Sequence, residues 1–186
     1  MAAVIGIGLT LYFSGVFSDG HPVKTKEGRG GGGEPRATTR YVESLQTTIN
    51  NRANVGGGAN VDGHNYPHGI TIDSLAGTEE NPNGVAFALP GQFSAFRAVV
   101  GVDPNSAPGF SGSMEFKVAT GERDLFKTTI SRGSPPCIVN VSLQGASNLE
   151  LQAYFVSGEP LKVAVGEARV VGDKDFANMP SGQPCS

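Results

Sequence analysis

A chain of 186 residues is long enough to form one domain of ordinary size with a hydrophobic core and short appendages. Its 14 basic and 17 acidic residues give a formal net charge of -3, so the sequence lacks the basic surface of a nucleic-acid-binding protein, and no nucleic-acid partner is expected. The 27 glycines and 12 prolines favour an all-β domain with many turns over a helical bundle.

Residues 1–17 contain an uncharged apolar run that ends in aromatic residues. The run is slightly shorter than the ~20 residues that a membrane-spanning helix needs, and aromatic residues suit the membrane interface. We interpret the segment as a hydrophobic membrane anchor or the remnant of an export signal, with a buried N-terminal strand as the alternative. Three basic residues follow the run, so the positive-inside rule does not favour an outside location for the rest of the chain.

Residues 18–39 have the composition of a flexible linker, with four consecutive glycines among prolines and charged residues. A glycine run can hold a phosphate group, but this one lacks the Gly-Lys-Ser/Thr ending of a P-loop and opens no predicted helix. We therefore predict a linker to a domain at residues 40–172, followed by a polar tail at residues 173–186.

Within the domain, apolar and polar residues alternate over short segments that turn-forming residues separate. The alternation is cleanest after Ser113, where Met114, Phe116 and Val118 share one face. The predicted strands are 41–45, 69–73, 85–89, 93–102, 113–118, 124–130, 137–143, 149–155 and 162–171. The residues expected to face the core on the last three are Val139, Val141, Leu143, Leu149, Leu151, Ala153, Phe155, Ala168 and Val170. Such half-buried strands predict an all-β fold, an antiparallel two-sheet β-sandwich.

The stretch from Val61 to Ser74 concentrates polar and aromatic side chains in a turn that runs into a strand. Pro67 fixes its own φ and Gly69 permits unusual backbone angles, so we expect a rigid turn. Rigid polar turns at strand ends make good binding surfaces, and sugar binding asks for aromatic faces beside polar groups. The predicted carbohydrate-binding residues are His64, Asn65, Tyr66, His68 and Asp73. The alternative for each is a role in the turn or the core.

The sequence shows no arrangement of residues that is typical of catalysis. It has no Gly-x-Ser-x-Gly nucleophile turn and no marked pair of carboxylates, so we expect a protein that is not an enzyme. His64 and His68 have the spacing of zinc ligands on a helix, but Pro67 and Gly69 exclude a helix there. No cofactor is expected. A structural calcium ion is kept as an alternative, because sandwich modules often hold one. Asp103 is expected to accept hydrogen bonds within its own loop.

Two cysteines, Cys137 and Cys185, lie far apart in the sequence and neither belongs to a C-x-x-C pair, which argues against a structural zinc site. An oxidising compartment would join them and fix the C-terminal tail to the start of a strand. Two unpaired thiols are the alternative, and the sequence leaves both open.

Several motifs of the domain resemble those of the NPCBM family of carbohydrate-binding modules. They are Tyr41-Val42-Glu43-Ser44-Leu45, Tyr66-Pro67-His68-Gly69-Ile70, Gly101-Val102-Asp103, the alternating segment 113–118, Asp124-Leu125-Phe126 and Gly166-Glu167-Ala168-Arg169. The similarity covers about residues 40–172. It implies a jelly-roll-like, galactose-binding-domain-like β-sandwich that is appended to extracellular proteins.

The chain departs from the family pattern where sugar contacts are expected. Asp73 stands where family members usually carry a second histidine, and Val165 where they carry a tryptophan; this chain has no tryptophan. The acidic loop that normally precedes the tryptophan is shortened to Ser157-Gly158-Glu159-Pro160. The resemblance therefore supports the fold more strongly than the ligand.

Together these features predict a non-catalytic carbohydrate-binding module, anchored in the membrane by its N-terminal segment and displayed outside a bacterial cell. The alternative is a degenerate module that acts as a protein-interaction or sensor ectodomain without binding sugar.

Overall fold

The computed structural model describes residues 39–90, 93–106, 111–121, 123–172 and 183–185. The predicted anchor at 1–17, nearly all of the predicted linker and most of the predicted tail lie outside these residues. The described strands are β1 (Arg40–Tyr41), β2 (Thr47–Asn51), β3 (Ala53–Val55), β4 (Ala59–Val61), β5 (His64–Tyr66), β6 (Gly69–Asp73), β7 (Asn83–Ala88), β8 (Ala95–Val102), β9 (Ser113–Thr120), β10 (Arg123–Ser131), β11 (Cys137–Ser142), β12 (Asn148–Ser157) and β13 (Lys162–Val171). None of the described ranges contains a helix that is long and apolar enough to cross a membrane.

The strands form two antiparallel sheets and a separate hairpin. Sheet A has the order β11-β8-β13-β6-β3, and β1 also pairs with β13. Sheet B has the order β10-β9-β12-β7-β2, and β4 pairs with β5. After β6 every connection except β9–β10 crosses from one sheet to the other, which is the jelly-roll-like order that was predicted. The predicted antiparallel β-sandwich is confirmed.

The core lies between the inner faces of the two sheets, as the alternation of the strands requires. Met114, Phe116 and Val118 are fully buried there, and the predicted inward residues of β11 and β13 are also buried. On β12, Phe155 pairs with the buried Met114 but is only partly buried.

The start of the domain differs from the predicted strand at 41–45. Only Arg40 and Tyr41 pair with a neighbour, and Val42–Ser44 forms a 3-10 turn. Local hydrogen bonds explain the turn: Leu45 N–H donates to Val42 O at 2.9 Å, and Ser44 Oγ donates to Tyr41 O at 2.7 Å. The turn carries Val42 into the core and leaves Glu43 partly exposed at the surface.

Residues 46–68, for which no strand was predicted, contain β2, β3 and the β4–β5 hairpin. Asp62 and Gly63 connect the hairpin with φ values of 50° and 86°. Both are in the left-handed region, as a two-residue type I′ turn requires, and Asp-Gly is a favoured pair for that turn. The Asp-Gly pair was the sequence signal for this hairpin.

The hairpin docks on the outer face of sheet A, where three glycines leave room for it. A Cβ atom on Gly69 would lie 2.5 Å from the Ala59 Cβ, and one on Gly101 would lie 2.8 Å from Val61 Cγ1. A Cβ atom on Gly166 would lie 2.5 Å from the ring of Tyr66. Such distances are shorter than van der Waals contact, so the hairpin lies at its present depth only because these residues are glycines. Ala59, Val61 and Ala164 form a small second core beneath it.

Cys137 and Cys185 form a disulfide bond, which resolves the two alternatives left by the sequence. Beside the bond, Ile138 N–H donates a hydrogen bond to Gln183 O at 2.9 Å. Residues 183–185 are thereby joined to β11 at the edge of sheet A.

Replacing Gly166 by alanine should destabilise the protein by about 1–3 kcal/mol, because the new methyl group overlaps the Tyr66 ring. In a Tyr66→Ala background the same substitution should cost almost nothing, since the ring it overlaps is gone. Urea unfolding of the four members of this double-mutant cycle measures both costs. Equal costs in the two backgrounds would contradict the proposed docking contact.

The double substitution of Cys137 and Cys185 by serine should lower the free energy of unfolding by up to about 4 kcal/mol, the chain-entropy value for a loop of 48 residues. Urea unfolding of the variant and of wild type measures the loss. Wild type in the presence of a reductant is the matched control and should unfold like the variant. A variant as stable as oxidised wild type would show that the bond contributes nothing.

Candidate functional site

A bulge in β13 creates a junction on the outer face of sheet A. β8 pairs with one side of β13 along most of its length, while β6 and β1 share the other side. On that side, the pairing with β6 stops at Gly166 of β13, and the pairing with β1 starts at Arg169 of β13. The register shifts between these two residues, and Glu167 has a φ of 51°. Glu167 N–H donates to His68 O at 2.8 Å, so the bulge is joined to the turn before β6. We call this place the β13 junction.

Two rings stack at the junction. The centroids of the Tyr41 and His68 rings are 3.8 Å apart, and the ring planes differ by 22°. Nδ1 of His68 lies 2.5 Å from Oε1 of Glu43, so a carboxylate orients the imidazole ring. The His68 side chain keeps 40% of its surface exposed. The stack is therefore both oriented and accessible.

Charged groups border the stacked rings. Tyr41 OH donates to Oε2 of Glu167 at 3.4 Å, and Glu167 also forms an ion pair with Arg169. The guanidinium carbon of Arg169 lies 5.1 Å from the centroid of the Tyr41 ring, within the range of a cation–π contact. These groups offer donors and acceptors at the rim of an aromatic surface.

The β4–β5 hairpin adds two more rings beside the junction. His64 and Tyr66 lie on the same face of β5, with centroids 4.8 Å apart and planes tilted by 60°. Tyr66 is partly exposed and rests over Gly166, the residue before Glu167, while His64 is exposed. Pro67 is all that separates Tyr66 from His68 in the chain. We refer to Tyr41, His64, Tyr66 and His68 together as the ring ledge.

Two of the predicted binding residues lie elsewhere. Asn65 is on the opposite face of β5 from Tyr66, and its Oδ1 accepts a hydrogen bond from Asn60 Nδ2 at 2.9 Å. Asp73 is at the far end of β6, ~14 Å along the strand from Gly69, and its carboxylate accepts the Leu75 N–H at 2.8 Å. The structure thus brings together His64, Tyr66 and His68, while Asn65 and Asp73 do not reach them.

Four residues of the junction were not predicted as part of the site, namely Tyr41, Glu43, Glu167 and Arg169. All four lie in the first and last of the motifs that carry the family resemblance, so a signal was present in the sequence. What the sequence could not show is that β1 and β6 meet end to end on β13, because pairing between distant strands is not encoded in local spacing.

A row of outward-facing side chains crosses sheet A at the junction. Asn140 pairs with Arg97, Arg97 with Arg169, and Arg169 with Tyr41, on β11, β8, β13 and β1. Partial burial, and then the positive charge of Arg169, lower the pKa of Arg97 below its ordinary value. The two guanidinium groups therefore repel each other on the outer face.

The end of the domain where this chain departs from the family pattern contributes less to a possible binding surface. Val165 lies inside β13 with its side chain fully buried in the core, so its position is not on an accessible surface. Asp103 accepts hydrogen bonds from Asn105 N and Nδ2 at 2.9 and 3.0 Å, which confirms its predicted role within its own loop. Among the residues described, no group of three or more His, Cys, Asp or Glu side chains is placed to hold a metal ion.

Two clefts elsewhere in the described part of the chain have no aromatic lining. A cleft of about 470 Å³ lies between the edge strands β10 and β11, and is lined by Arg123, Asp124, Leu125, Asn140, Val141, Ser142 and Gln144. A second one, of about 420 Å³, is lined by Ser111, Gly112, Ser113, Ser131, Arg132 and Ser157. Neither lining includes an aromatic side chain, whereas the ring ledge has four rings, counting imidazoles.

Comparisons with known proteins agree with this architecture. The model of one family, described as the NPCBM/NEW2 domain, matches residues 35–161. The structure of CBM51 from Clostridium perfringens GH95 in complex with methyl-galactose is similar with a TM-score of 0.55 and 20% identity, over 72% of this chain and 100% of that one. No curated protein matches the chain.

Two further similar structures come from Clostridium perfringens ZmpB. One holds the M60 catalytic domain with CBM51-1 and CBM51-2, with a TM-score of 0.55 and 19% identity over 72% of this chain and 15% of that one. The other holds CBM51-2 in complex with GlcNAc and INT domains, with a TM-score of 0.55 and 13% identity over 73% of this chain and 32% of that one. At these identities the likeness establishes the fold alone.

Proposed function

Because the chain belongs to the NPCBM/NEW2 domain family, we propose that it is a non-catalytic carbohydrate-binding module whose binding surface is the ring ledge with the β13 junction. Two of the similar structures contain methyl-galactose or GlcNAc, which supports a sugar as the ligand class. The ring ledge replaces the predicted set of five residues as the site, since it excludes Asn65 and Asp73.

One observation carries this proposal: rings and hydrogen-bonding groups lie side by side on an accessible surface. Tyr66 and the Tyr41–His68 stack offer faces for the apolar side of a sugar ring. Glu167 and Arg169 at the rim offer acceptors and donors for its hydroxyl groups. This combination is what a protein needs to bind a sugar in water, because stacking contributes affinity and the polar groups select the orientation.

The same groups support binding rather than catalysis. Glu43 contacts His68 through Oε1, and Glu167 contacts Arg169 and Tyr41, so both carboxylates hold the junction together. In a glycosidase, two carboxyl groups act instead on opposite sides of a glycosidic bond. We therefore propose that hydrolysis, if it accompanies recognition, is performed by another polypeptide.

We also propose that residues 1–17 anchor the module in the membrane and that the domain is displayed on the outside of the cell. The uncharged apolar composition of this segment supports the first part. The Cys137–Cys185 disulfide supports the second, because such bonds persist mainly in oxidising compartments.

Replacing Tyr66 by leucine should abolish measurable glycan binding, since leucine keeps an apolar group over Gly166 but removes the aromatic face. The measurement is a glycan array followed by calorimetric titration of the ligands that bind, with the full chain in mild detergent. Asp73→Asn should bind like wild type, because Asp73 lies at the other end of β6 and asparagine can still accept the Leu75 N–H. Loss of binding in Asp73→Asn with retention in Tyr66→Leu would contradict the proposed site. Wild type that binds no glycan would contradict the function and favour a protein-interaction role.

In a bacterial host the full chain should sediment with membranes, and a variant lacking residues 2–17 should not. Protease added to intact spheroplasts should digest the domain of the full chain, and thiol alkylation should find Cys137 and Cys185 oxidised. A full chain that is protected from the protease, with both thiols free to react, would contradict display outside the cell.

A further inference from the structure

The row of side chains across sheet A contains an unusual pair. Arg97 on β8 and Arg169 on β13 are directly opposite each other in the ladder, and both point to the outer face. Like charges directly opposite each other on neighbouring strands are destabilising. A nearby anion would offset the repulsion between the two guanidinium groups.

The described carboxylates of the junction do not supply that anion to Arg97. Glu167 forms its ion pair with Arg169, and Glu43 is held against Nδ1 of His68. Within the described ranges, Arg97 has no ion pair and no side-chain hydrogen bond. Its neighbours in the row are Asn140, which is exposed and can donate or accept a hydrogen bond, and Arg169.

Burial and the positive charge of Arg169 both lower the pKa of Arg97, so the surroundings disfavour its charged form. Because a guanidinium group stays protonated in proteins, this unfavourable environment persists unless an anion offsets it. An anionic group placed between the two arginines would relieve the repulsion and accept charge-assisted hydrogen bonds.

We propose that the glycan recognised at the ring ledge is acidic, and that its carboxylate or sulfate group binds between Arg97 and Arg169. The inference rests on the proposed function and adds the chemical class of the ligand. Arginine suits both anions, because its planar fork of N–H donors can hold two oxygens at once.

The two arginines lie close enough to Tyr66 for a single glycan to contact both. The Tyr66 ring lies over Gly166, and Gly166 pairs with Val99, which is two residues from Arg97 on β8. The arginine row is therefore ~7 Å along the strands from the ring, about the distance between a sugar ring and a substituent of the next unit. A sugar stacked on Tyr66 would place an acidic group of the same or the adjoining residue at the pair.

The test compares an oligosaccharide of galacturonic acid with its carboxyl-reduced neutral counterpart, and a sulfated galactose oligosaccharide with its desulfated counterpart. Each is titrated calorimetrically into the full chain in mild detergent. At least one acidic ligand should bind about ten- to a hundred-fold more tightly than its neutral partner, which is what hydrogen bonds to a charged group contribute. Its affinity should fall as sodium chloride is raised. The arm that binds identifies the group as carboxylate or sulfate.

Arg97→Gln should remove this preference, while Arg52→Gln, which makes the same change of charge at the far end of β6, should leave it intact. Circular dichroism of both variants checks that they are folded. Equal affinity for acidic and neutral ligands, unchanged in Arg97→Gln, would overturn the acidic class and leave the module function standing. Binding of no glycan, neutral or acidic, by folded wild type would overturn both.

Discussion

The candidate site depends on the close packing of the β4–β5 hairpin on the outer face of sheet A. Gly69, Gly101 and Gly166 lie beneath Ala59, Val61 and Tyr66, at distances that leave no space for a side chain. The contact buries Ala59 and Val61, which would otherwise be exposed on an isolated two-stranded hairpin that is marginally stable by itself. It also fixes the position of Tyr66 beside the bulge of β13, so this packing interaction determines where the His64 and Tyr66 rings lie.

The bulge explains why charge and aromatic surface meet at this place. The extra residue lies in β13 between the part that pairs with β6 and the part that pairs with β1. Both strands lie on the same side of β13, and their side chains converge at the bulge. Glu167 adopts a left-handed conformation, which is uncommon for a residue with a Cβ, and contacts Tyr41 and Arg169. The surface stands on paired strands, so it is formed before any ligand arrives.

The strands from residue 69 onward were predictable from the sequence because their alternation reports burial directly, and 69–73 and 162–171 match β6 and β13. The strands from β2 to β5 were missed, and two of them, β2 and β5, are largely exposed and carry no apolar pattern. His64, Tyr66 and His68 were chosen as candidates because of their concentration in one turn. Tyr41 and Glu167 were not, because 126 residues separate them and only the pairing of β1 with β13 brings them together. Arg97 lies on a predicted strand, but its opposition to Arg169 depends on register, which local patterns do not specify.

The central claim is that the ligand binds where the hairpin meets the β13 junction. Nuclear magnetic resonance of the ¹⁵N-labelled domain, titrated with a glycan that the array identifies, tests it most directly, because every backbone amide reports on its own surroundings. The account predicts that the largest shift changes cluster at residues 64–69 and 166–169. Changes that cluster instead around Asp73 and residues 157–160, with the hairpin unaffected, would contradict it.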